Sequence, residues 1–194
     1  MENKKAGFWF LVIGVLIAII LIIIILGIFA YLVFKTPAKV NGPPEDYKPL
    51  ENPIRAVVFK NTDASGKINQ EQALSEGIRE FNVEYINYLL LALGVGSLHK
   101  SAVGYGNPVV EMNIDNEAWN SEISGGLITK QGSVEEEDLR ITMSRSEAVK
   151  ALMSDNIQSY MKTSVNNGDT RLEMVASKVE LASKGYLDLY NNLK

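Results

Sequence analysis

The sequence predicts an α+β fold, an antiparallel β-sheet meander covered by helices, behind one N-terminal transmembrane helix. Three observations carry this expectation. Residues 6–34 are an apolar run without a single charge. From Pro108 the hydrophobic period is two, through four short segments. After Ser144 the period returns to that of a helix. The implied organisation is a short N-terminal tail (1–5), a transmembrane helix (6–34), a Pro-rich linker (35–53) and an α+β domain (54–194).

Composition narrows the function classes. Of the 29 residues in the apolar run, 26 are hydrophobic, so the 46% hydrophobic content of the whole chain overstates that of the domain. From Thr36 onward there are 16 basic and 22 acidic residues. No basic face of the kind that tracks phosphates is visible, which argues against nucleic acid as a partner. The absence of cysteine excludes disulfides, thiolate metal sites and cysteine nucleophiles. A single histidine excludes a histidine-rich metal site within one chain, and no metal or other cofactor is expected.

The run from Ala6 to Phe34 is long enough to span a bilayer. At a helical rise it covers roughly 43 Å, against a hydrocarbon core of roughly 30 Å. Trp9 and Tyr31 lie near its two ends, where amphipathic rings favour the interface. A cleaved signal peptide would have a shorter apolar region and a small-residue cleavage site, and Lys35-Thr36-Pro37 is a poor one. Lys4 and Lys5 on one side nearly balance Lys35 and Lys39 on the other. The free amino terminus tips the balance toward a cytoplasmic N-terminus, making this a single-pass membrane protein with an extracytoplasmic C-terminal domain.

Five of the six prolines, Pro37, Pro43, Pro44, Pro49 and Pro53, fall in the linker. They predict an extended spacer. Residues 54–60 (IRAVVFK) are short, β-branched and poor helix formers. The next twelve, NTDASGKINQEQ, resemble the calcium loop of an EF-hand, with Asn61, Asp63 and Ser65 at ligand positions and Gly66 at the turn. The closing position, which requires a bidentate carboxylate, holds Gln72. A polar turn that does not bind calcium is therefore the expectation.

Asn69 and Gln72 form a capping box for the following helix. Leu74, Ile78, Phe81, Tyr85, Tyr88 and Ala92 recur at spacings of three and four, predicting one long helix that ends at Gly94 and Gly96. Its second half, INYLLLALGV, is apolar almost all round and too short to cross a membrane, so it should be buried, paired or against lipid. His99 falls in the following loop, where a surface or capping role is the simpler reading.

Val110, Met112 and Ile114 alternate with Glu111, Asn113 and Asp115 on the first strand. Asp115-Asn116 turns the chain, Trp119, Ser121 and Ile123 share a face of the second strand, and Ser124-Gly125-Gly126 turns it again. Leu127 to Gln131 makes a third strand and Leu139, Ile141 and Met143 mark a fourth. Glu135-Glu136-Glu137-Asp138 reads as a solvated loop between them. Ser144-Arg145-Ser146-Glu147 is a capping box, and Ala148, Val149, Leu152 and Met153 form the apolar face of its helix. Ile157, Tyr160, Met161, Ser164 and Val165 define a second helix, stopped at Asn166 to Asp169. Leu172 to Ala176 fits helix or strand, Lys178 to Leu181 reads as the last strand, and Tyr186, Leu187, Tyr190 and Leu193 form a terminal helix after Gly185.

This order of elements, with PVVEMNIDNEAWNSEISGG, EDLRITMSRSEAVKALMS and KVELASKGYLDLYNNL as its local blocks, resembles the sterol carrier protein-2 family over roughly residues 70–194. The resemblance implies a sheet with helices over one face and an apolar tunnel between them that takes acyl chains, sterols or other lipids without chemistry. Trp119, Ile141, Met143, Leu152, Met153, Tyr160, Met161 and Met174 are the candidate lining. Methionine is enriched among them, and thioethers fill adaptable cavities. The function expected is a membrane-anchored, non-enzymatic module for lipid or another apolar ligand, its partners the bilayer and a fatty acyl ligand. The alternative is a membrane-tethered structural or protein-interaction domain with a closed core. No P-loop, GxSxG, HExxH or dinucleotide fingerprint is present. A continuous apolar cavity would favour the first reading and a sealed core the second.

Overall fold

The structure, a computed structural model, describes residues 19–27 and 51–193. The chain divides into two units at Pro43/Pro44, and each is described by itself. In the first, residues 19–27 are helical (α1) and all exposed. The rest of the expected span at 6–34, the tail at 1–5 and most of the linker at 35–53 lie outside the described residues. Among the described residues, no helix is long and apolar enough to cross a membrane.

The second unit opens with helix α2 (Ile54–Lys60). Its β-branched composition made it a poor helix on propensity alone, and that expectation is overturned. Pro53 precedes it at φ −63°, a backbone already suited to the first helical turn. Ile54 and Val57, one turn apart, are both buried, and tertiary packing outweighs the few tenths of a kcal/mol per residue that β-branching costs. Asn61 closes the helix with its main-chain N–H and its Nδ2, both donating to Val57 O.

The single long helix expected after Asn69 is two helices, α3 (Gln70–Glu80) and α4 (Val83–Leu93). The break is at Phe81-Asn82. Asn82 is extended at φ −151°, and its side chain accepts the Glu84 N–H at 2.8 Å. An asparagine that can cap a new helix competes with continuing the old one. The apolar stripe survives the break locally, with the Phe81 and Tyr85 rings 5.3 Å apart between centroids. Gly77 lets α3 approach its neighbours closely, since a Cβ there would lie 2.6 Å from Ile54 Cδ1 and 2.7 Å from Val149 Cγ1. A short 3₁₀ turn (Val95–Ser97) follows Gly94, which terminates α4 at φ +100°.

The sheet contains β1 (Val109–Ile114), β2 (Glu117–Ile123), β3 (Leu127–Gln131), β4 (Leu139–Met143) and β5 (Thr170–Met174), in the order β3-β2-β1-β4-β5. It is mixed, not the all-antiparallel meander expected. The β1–β2 and β2–β3 hairpins are antiparallel, but β4 pairs with β1 in parallel, Met112 opposite Ile141, and β5 returns antiparallel to β4. A period of two reports which face a residue takes; it does not report which strand lies alongside. The register puts Val110, Met112, Trp119, Ser121, Ile123, Leu139, Ile141, Met143, Leu172 and Met174 on one face.

Helices α4, α5 (Arg145–Met153), α6 (Ile157–Asn167), α7 (Lys178–Lys184) and α8 (Tyr186–Leu193) contribute most of the other buried apolar residues of the core, with Ile54 and Val57 of α2, Val95 and Leu98. Ile86, Leu89, Leu90, Ala148, Val149, Ala151, Met161 and Tyr186 have no exposed area. Lys178 to Leu181, expected to be the last strand, is helical. Ser177 caps it by accepting the Glu180 N–H, an S-x-x-E box that outweighs the alternation of Val179 and Leu181. The ambiguous segment at Leu172 to Ala176 supplies the last strand instead.

Candidate functional site

The eight candidate lining residues do not share one environment. Ile141, Met143, Leu152 and Met161 are all no more than 4% exposed and belong to one packed core cluster. Trp119, Met153, Tyr160 and Met174 are half-buried and pack around its margin. Four of the eight thus lie in the core cluster and four at its margin.

Depressions open at the surface of the unit. A groove of about 640 Å³ runs between α2, α4 and the α5–α6 corner, bordered by Arg55, Val58, Phe59, Tyr88, Met153, Asp155 and Ile157. Beside it, a smaller depression of about 400 Å³ is bordered by Leu74, Met153 and Tyr160, with Lys150 and Glu71 at its rim. Met153 borders both. The Tyr160 hydroxyl donates to Glu147 Oε1 at 2.9 Å, and burial followed by that carboxylate pushes the phenol's pKa well above its usual value. The hydroxyl stays neutral at any physiological pH.

The EF-hand-like segment lies between two helices, α2 and α3, as that motif requires, although its sequence gave little sign of the first. Its interior is nonetheless committed to protein partners. Asp63 Oδ1 accepts from Ser65 Oγ (2.6 Å), Ser65 N (2.8 Å) and Lys67 N (3.0 Å). These bonds, the Ser65 hydroxyl first, hold its carboxyl below the ordinary range. Thr62 and Ile68 form a β-bridge across the loop. Asn61 donates to Glu76 Oε2 at 2.7 Å, and Lys60 pairs with the same carboxylate. An ion pair thus closes the base of the loop where a calcium loop would use its final glutamate. Among the described residues, no three acidic or histidine side chains are grouped so as to hold a metal ion.

The acidic run before β4 divides. Glu135 and Glu136 are exposed as expected, but Glu137 and Asp138 are buried, so the solvated-loop reading is corrected for its second half. Glu137 pairs with Arg140, whose Nε also meets Glu111 Oε1 at 3.2 Å. Glu111 in turn accepts the Val134 N–H, fastening the β3–β4 connection to β1. Asp138 is fully occupied. Its Oδ1 accepts from Lys184 Nζ at 2.6 Å, and its Oδ2 accepts from Val109 N at 2.7 Å and the Tyr186 hydroxyl at 3.1 Å. Lys184 also donates to Glu180 at 2.8 Å. Burial raises the pKa of Asp138 and that of Tyr186. For Lys184, burial pulls down, but the two carboxylates more than compensate and hold it protonated. These bonds tie β1, the β3–β4 loop, α7 and α8 together.

His99 is half-buried, its Nδ1 3.3 Å from the carbonyl of Lys100 and its ring beside Gly185. Sequence reasoning missed Arg55 and Phe59 because it missed α2. The available signal was the i, i+3 pair Ile54 and Val57 followed by Asn61. It also missed Asp138, since nothing local distinguishes a buried aspartate in an acidic run. No protein-family model matches the chain, and no curated protein matches it.

Proposed function

We propose that the chain is a membrane-anchored, non-enzymatic interaction domain with a closed core, held at a bilayer by its apolar N-terminal run. The observation that supports this reading is burial: Ile141, Met143, Leu152 and Met161 are no more than 4% exposed and belong to one core cluster. The anchor rests on the uncharged apolar sequence of residues 6–34. The absence of chemistry rests on the composition and on polar clusters whose groups are already paired. The concave surface left for partners is the external groove beside α2.

A second reading, the sterol-carrier-like one, draws on the smaller depression. Leu74, Met153 and Tyr160 give it an apolar floor, and about 400 Å³ falls within the range of small-molecule pockets. A fluorescent fatty acid titrated into the Pro44–Lys194 unit separates the two. The interaction-domain reading expects no saturable signal up to tens of micromolar. Saturable binding that Tyr160→Ala abolishes would overturn it in favour of a lipid module.

A further inference from the structure

Helix α2 is the first element after the linker, and it has two distinct sides. Ile54 and Val57 are buried, whereas Arg55, Ala56, Phe59 and Lys60 are exposed. Positions 55 and 59, like 56 and 60, are one helical turn apart, so these four share a face. Phe59 is 83% exposed, against 52% for Leu187, the next most exposed large apolar residue in this unit. The helix carries no carboxylate of its own. Among the described residues, no acidic group pairs with Arg55.

We infer that this face is a bilayer contact, with Phe59 seated at the boundary between headgroups and acyl chains and Arg55 reaching the phosphates. The inference rests on the membrane-anchored reading above. The chain itself argues for the occupant. The apolar run ends at Phe34 and α2 begins at Ile54, so 19 residues separate them, five of them proline. Such a segment extends over about 60 Å, which keeps a lipid surface within reach of α2. Magnitude then decides. Burying one phenyl group multiplies a partition coefficient roughly ten- to a hundred-fold. That is too little to bring a free protein to a membrane, but sufficient for one whose tether already supplies a local concentration on the order of millimolar.

Charge is not the driving term. The chain from Thr36 onward carries 16 basic against 22 acidic residues, Lys60 pairs with Glu76, and Asp155 borders the same groove as Phe59. The apolar ring supplies the attraction, and the stems of Arg55 and Lys60 extend along the surface beside it.

The chain contains no cysteine, so one introduced thiol carries a unique spin label. The full chain is reconstituted in phosphatidylcholine–phosphatidylglycerol vesicles with the label at Ala56→Cys, and with Val175→Cys as an exposed reference. Collision with oxygen, relative to a water-soluble nickel chelate, should be several-fold greater at 56 than at 175. Adding Phe59→Asp to the Ala56→Cys chain should return the ratio to the reference. An aqueous ratio at 56, in protein that stays with the vesicles through an alkaline carbonate wash, overturns the contact and leaves the anchor standing. Protein that washes off overturns both. Label–label broadening at 56 that disappears on dilution with unlabelled chain assigns the face to a second copy and likewise overturns the contact.

Discussion

Asp138 and Lys184 show how much one pair can decide. The aspartate is 1% and the lysine 3% exposed by side chain, and they come from segments 46 positions apart. Removing both charges from such a site is often tolerable, but removing one leaves the other buried and uncompensated. Lys184→Met is therefore expected to cost roughly 3–5 kcal/mol. Adding Asp138→Asn should recover part of that loss, because the amide still fills the space beside Val109 N and Tyr186. Chemical denaturation of the two single variants and the double variant measures the coupling. Strictly additive losses would show that the pair contributes nothing as a pair.

At the scale of elements, the α2–loop–α3 unit is held by two carboxylates whose pKa values fall below their usual range. Asp63 is lowered by Ser65 first, then by the Lys67 and Ser65 amides. Glu76 is lowered by Lys60 first, then by Asn61. A carboxyl depressed in the folded state favours folding above its unfolded pKa, and that contribution disappears as pH falls through the folded value. The loop should therefore hold from neutrality down to ordinary carboxylate values and loosen only in stronger acid. Hydrogen exchange at the Ser65 and Lys67 amides measures this, and faster exchange beginning near pH 6 would contradict it. The same wiring predicts no calcium heat by calorimetry near neutral pH. A one-site isotherm in the micromolar range would show that Glu76 or Glu71 can be recruited as a ligand.

For the whole molecule, the decisive question is whether the space between sheet and helices is full. Ala148 lies on α5 with no exposed area, facing the core. In a filled interior, Ala148→Phe must displace its neighbours, at a cost of roughly 1–3 kcal/mol. A lowered melting temperature by circular dichroism is the expected outcome. A variant as stable as the parent would reveal unoccupied volume and favour the lipid reading.

The sequence by itself determined the α+β class, the four strands found at 109–114, 117–123, 127–131 and 139–143, and the caps at Asn69, Ser144 and Gly94. These depend on hydrophobic period and on side chains bonding to backbone within four residues, and both are local properties. Tertiary structure alone decided the rest. It made IRAVVFK a helix by burying Ile54 and Val57, whereas the break at Asn82 is a local cap that the continuous apolar stripe masked. It placed β4 beside β1 in parallel by fastening the β3–β4 connection through Glu111, Arg140 and Asp138. It brought Met161, Leu152 and Ile141 together in one buried cluster. Pairing partners, buried charges and cavities all depend on residues distant in the chain meeting in space, and neither period nor propensity encodes those meetings.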